Sequence, residues 1–98
     1  MRAGLATIDM FSDKIGQVFV VDEPGVPAIE LTLAEVTPLR NFANAERAPF
    51  SLLFTSRGGA VLPQRMYALR NASLGMQSLF LVPIAGNSVS ATYQSIFN

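Results

Sequence analysis

Between Ser78 and Ile84 the chain reads Ser-Leu-Phe-Leu-Val-Pro-Ile, and this stretch constrains the fold more than any other. In an extended strand Leu79 and Leu81 fall on one face, and Phe80, Val82 and Ile84 on the other. The run is too short for a helix, and Pro83 removes a ladder donor, so pairing is broken or one-sided at its end. Apolar side chains on both faces predict a strand covered on both sides, in the middle of the core. Phe80 and Val82 are therefore expected to be inaccessible to solvent.

The rest of the chain supplies shorter strands to surround it. Residues 1–7 read as a loose lead-in. Asp9 is a candidate N-cap, with Met10, Phe11, Lys14 and Ile15 forming one or two helical turns before Gly16. Gln17 to Val21 reads as a strand, and Asp22 to Pro27 as a turn set by Pro24-Gly25. Ile29-Glu30-Leu31-Thr32-Leu33 alternates cleanly, but Val36 follows at an odd spacing, which predicts a bulge or sharp bend near Ala34-Glu35. Pro38 to Ala48 reads as the longest loop. Phe50 to Thr55 is a third strand with Phe50, Leu52 and Phe54 inward, followed by a turn at Arg57-Gly58-Gly59. Arg65 to Arg70 is a fourth, with Tyr67 and Leu69 inward. Asn71 to Met76 has room for one helical turn stopped by Gly75. After the Ser78–Ile84 strand and a turn at Gly86-Asn87, Val89 to Phe97 closes the chain with Ala91, Tyr93 and Phe97 on one face.

Six short strands with Gly/Pro turns and little helix predict an all-β, mainly antiparallel fold, either a small six-stranded barrel or a sandwich, forming one domain over residues 1–98. The last strand carries no charge and no proline, the devices that keep an exposed edge from pairing with another chain. Either it is paired on both sides within a closed barrel, or its open edge pairs with another subunit. Closure is the simpler reading, because it also accounts for the bend at Ala34-Glu35.

Half of the 98 residues are hydrophobic and only 14% are charged, against about 25% charged in an average domain. So small a chain has little interior to hide that much apolar side chain, which predicts either a tight barrel or sandwich with greasy loops or a subunit that buries more surface against a partner. Residues 1–35 set Arg2 and Lys14 against six acids, a net of −4, and residues 36–70 set five arginines against Glu46, a net of +4. Residues 71–98 carry no charge at all. Interleaving of these charges on one surface is the plainer expectation; complementary acidic and basic faces that steer self-assembly are the sharper one.

The chain has no histidine and no cysteine. That removes the commonest general base and metal ligand, any thiolate zinc site and any Ser-His-acid triad for Ser51, Ser56, Ser73 or Ser78. A Ser-Lys arrangement would have only Lys14 to use. Asp9 and Asp13 share a helical spacing, but a cap and a solvated acid explain them. Asp22-Glu23 reads as a polar turn, and Gly58-Gly59 lacks the Lys-Ser/Thr of a phosphate loop. Arg57, Arg65 and Arg70 around Tyr67 form the one basic patch. On a neutral chain without a lysine cluster it does not predict nucleic-acid binding. Arg65 is expected to pair with Glu30 or Glu35, Tyr67 and Tyr93 to be core aromatics with hydroxyls at the barrel edge, and Gln64 of Leu62-Pro63-Gln64 to bond loop backbone. No apolar run spans a bilayer, so membrane insertion is not expected. Met1 to Ser12 does not read as a signal peptide, and the compartment is left open with the cytoplasm as default. No catalytic, cofactor-binding or metal-ligating residue is expected.

Phe19, Ile29 to Leu33, Pro49 to Phe54, Leu62-Pro63-Gln64, Tyr67, Leu74-Gly75, Leu79-Phe80-Leu81-Val82-Pro83 and Tyr93 with Phe97-Asn98 occur in that order along the chain. In this the sequence resembles a family of short bacterial proteins of uncharacterised function. The resemblance runs from Phe11 onward. It implies a structural or appendage-associated role, since members are often encoded beside phage-tail-like collar or fibre proteins, and it carries no catalytic residues. The expected function is thus a non-enzymatic structural or interaction module that self-associates or docks on a larger assembly. The alternative is a small-molecule-binding barrel with a cavity lined by Phe19, Phe50, Phe54 and Phe80.

Overall fold

Where apolar and polar residues alternate, the chain is extended. The computed structural model describes residues 7–40, 48–57 and 61–97. A five-residue helix α1 (Ile8–Ser12) precedes strands β1 (Val18–Val21), β2 (Glu30–Pro38), β3 (Phe50–Arg57), β4 (Arg65–Asn71), β5 (Gly75–Gly86) and β6 (Ser90–Phe97). The strands close into a barrel in the order β1-β2-β3-β6-β5-β4, with β4 returning to β1 and every neighbour antiparallel. The fold is the barrel of the two expected architectures, and β6 is paired on both sides.

Closure gives each strand one inner and one outer face. Phe19 and Val21, Leu31 and Leu33, Phe50, Leu52 and Phe54, Tyr67 and Leu69, Leu79 and Leu81, and Ala91 and Tyr93 alternate inward from the six strands and are buried. Phe19 meets Phe54 edge-on at 5.3 Å between ring centroids. At one end Phe11 of α1 lies over the core, 5.9 Å from Phe50 and 5.7 Å from Phe97, and those two rings stack at 4.5 Å. Two breaks in register bend the wall, one between Leu33 and Glu35 and the other between Pro83 and Ala85. The first is the bulge that the phase slip predicts, and the second follows from Pro83, which has no N–H to give the ladder.

The expectation for Ser78–Ile84 is half overturned. Leu79 and Leu81 are buried, but Phe80 is 42% exposed, Ile84 is exposed and Val82 only partly buried. A single-layered barrel has no second sheet to cover its outer face, so a strand apolar on both faces must show one of them. The helical turn expected between Asn71 and Met76 is instead the tip of the β4–β5 hairpin. Asn71 stands opposite Gly75, and its Oδ1 accepts the amides of Ser73 and Leu74 at 2.9 Å. Gly75 has φ of +72°, the left-handed conformation that lets a three-residue hairpin loop rejoin its strand. Thr7, not Asp9, is the N-cap of α1, without a side-chain cap bond, and Asp9 sits in the first turn. β2 ends at Pro38, the residue where the long loop is expected to start. Residues 1–6, 41–47, 58–60 and 98 lie outside the described residues, and with them most of the lead-in, the centre of that loop, the Gly58-Gly59 turn and the terminal Asn98.

Candidate functional site

The outer face of β4, β5 and β6 carries a group of exposed apolar side chains. Met66 and Phe80 are cross-strand partners on this face, Val82 stands opposite Gln94, and Ile96 follows two residues along β6. Met66, Phe80, Ile84 and Ile96 are all exposed. The β5 and β6 part of the face lies within the uncharged segment 71–98.

The two arginines of β4 are engaged at the seam with β1. Asp22, just past the end of β1, donates its amide to the Ala68 carbonyl at 2.9 Å. One residue on, the chain leaves the ladder, and the Glu23 side chain takes over. Its Oε1 accepts the Ala68 amide at 2.9 Å and its Oε2 takes the Arg65 guanidinium at 2.6 Å. Asp22 holds Arg70 at 3.1 Å. The Ala68 N–H, then Arg65, keep the Glu23 carboxyl below its ordinary pKa against a smaller opposing effect of desolvation. Arg65 also lies 4.6 Å from the Tyr67 ring centroid. Arg65 therefore pairs with Glu23 and not with Glu30 or Glu35. Through these two pairs, acids of residues 1–35 meet bases of residues 36–70, as the interleaved arrangement requires.

The tyrosines do what buried tyrosines must. Tyr93 Oη accepts the Leu62 amide at 2.9 Å, and Tyr67 Oη donates to the Pro63 carbonyl. These hydroxyls hold the Leu62-Pro63-Gln64 turn, the role expected of Gln64, which is itself exposed. Asp13 pairs with Lys14 at 2.6 Å, and Ser73 donates to Gln17. Among the described residues no group of acids is placed to hold a metal ion, and no helix is long and apolar enough to cross a membrane.

Phe19, Phe50 and Phe54, expected to line a ligand cavity, are themselves fully buried and fill the interior, while Phe80 is outside it. A cleft of about 870 Å³ lies on the outer surface at the end away from α1, where β2 and β6 begin and β3 ends. Sequence reasoning missed both the outer apolar face and the Glu23 strap. The uncharged tail was the one signal for the former, and nothing local marks the latter.

Residues 6–97 match a family model described as a domain of unknown function (DUF6916). No curated protein and no solved structure matches the chain.

Proposed function

We propose, from the premise that the chain belongs to the DUF6916 family of uncharacterised domains, that it is a non-enzymatic interaction module whose outer β4–β5–β6 face docks on protein, in the first instance on a second copy of itself. The observation that carries this reading is Phe80, 42% exposed beside Met66 on that face. Fully burying a side chain of this kind contributes about 1.5–3 kcal/mol. In a two-fold pairing each copy offers the same patch. Where β5 and β6 form it, that patch has no charge to desolvate or to repel its copy. The resemblance to short bacterial proteins encoded near phage-tail-like collar or fibre proteins extends the reading to a component or accessory of a tail-like or surface appendage.

Solution mass measured across a range of concentrations tests it. The chain should associate as concentration rises, whereas Phe80→Glu should remain monomeric with an unchanged melting temperature. A chain that stays monomeric throughout, or a Phe80→Glu variant that associates like the parent, removes the reading.

A further inference from the structure

We propose that the cleft at the barrel end away from α1 binds a small zwitterion of the apolar α-amino-acid class. Its geometry follows from register. Leu31 and Ser56 are the β2–β3 partners nearest this end, so Glu30 and Arg57, one residue further on each strand, are cross-strand neighbours on the outer face. Thr32 and Thr55 face each other one step inward, and Ser90 of β6 stands opposite Arg57. Glu30, Thr32, Thr55, Arg57 and Ser90 line the cleft, with Ala28 and Ile29 as its apolar side.

Opposite charges meet here without a structural task. Asp13, Asp22 and Glu23 each have a basic partner, but no ion pair among the described residues joins Glu30 or Arg57. A direct pair between them would be solvent-exposed and worth little, so a ligand that bridges them displaces little. A simple anion on Arg57 would face the Glu30 carboxylate, and a simple cation on Glu30 would face the guanidinium. A molecule carrying both charges meets both: its carboxylate takes the Arg57 fork, its ammonium donates to Glu30. The threonine and serine hydroxyls complete the polar shell, and an aliphatic side chain lies against Ile29.

Titration of the whole chain by ¹⁵N NMR with L-leucine, N-acetyl-leucine, leucine amide and glucose reads the proposal directly. Leucine should move the amide resonances of Thr32, Thr55, Arg57 and Ser90 saturably. N-acetyl-leucine and leucine amide, each lacking one charge, should bind roughly tenfold more weakly, as should leucine to Glu30→Gln and Arg57→Gln variants whose melting is unchanged. The proposal is overturned if leucine gives no saturable shift, if either blocked compound binds as tightly, if glucose occupies the cleft instead, or if both variants keep full affinity. The site does not depend on self-association. Phe80→Glu should retain leucine binding, so failure of either reading leaves the other standing.

Discussion

Phe54 and Phe80 have the same side chain in opposite surroundings. Phe54 is fully buried against Phe19, so Phe54→Ala should cost about 3–5 kcal/mol in urea unfolding. Against a total of about 5–15 kcal/mol for a domain of this size, that loss would be plain. Phe80→Ala should change the stability of the monomer by roughly 0.5 kcal/mol or less, as surface substitutions do. Equal losses at the two positions would mean that Phe80 is covered in the monomer. Glu23 sets a second expectation, in pH. Its folded carboxyl titrates below the ordinary glutamate value of 4.5, so folding favours the ionised form. That contribution is complete above the ordinary value and is lost as the pH falls through the lowered one. Glu23→Gln should therefore melt below the parent at neutral pH, and the gap should close in acid. A gap that persists in acid would place the effect elsewhere than in the carboxylate.

The β4–β5 hairpin depends on one left-handed residue. A Cβ at Gly75 would meet nothing within 4 Å, so Gly75→Ala isolates backbone strain, and thermal melting should report a loss of about 1–2 kcal/mol. Strand β6 is less forgiving, since it is hydrogen-bonded to β3 and to β5. Deleting Tyr93 to Asn98 should abolish cooperative unfolding, because it removes a buried ring and opens both neighbours; a truncated chain that melts like the parent would show β6 to be dispensable. The elements differ in how far they can be read from sequence. Ile29 to Leu33 and Phe50 to Phe54 alternate with period two, which specifies strand and inner face together, and a slip in that period exposes the bulge at Leu33/Glu35. Leu79 to Val82 is apolar at every position, so its pattern holds no information about which side faces in. Only the number of layers decides that, and layering is a property of the whole sheet. Gly75 reads equally well as a helix stop and as a hairpin residue, since both require the left-handed conformation. The Glu23–Arg65 pair spans 42 positions, and no local rule reaches that far. The outer apolar face escaped notice because pattern reading assigns apolar residues to the interior by construction, and the Glu30/Arg57 cleft because it needs the β2–β3 register first.

At the scale of the molecule, the ring is made from distant parts of the chain. β3 pairs with β6 across some forty residues, so closure entropy must be overcome before most of the ladder forms. Refolding is expected in milliseconds to seconds, the range of all-β domains rich in non-local pairs, and stopped-flow fluorescence from the two tyrosines would measure it. Microsecond refolding would argue for a more local nucleus. The ring is also uneven: β1 meets β2 through three residue pairs and β4 through three, whereas β3 and β6 share eight. A hoop of unequal staves parts at the narrowest one. Amide protons of Val18 to Val21, with those they face across the joint, should thus exchange with deuterium through a partial opening, while those between β3 and β6 wait for global unfolding. Glu23 and Asp22 sit at that joint as a latch, so loosening them should speed exchange there and leave the far side of the ring almost untouched.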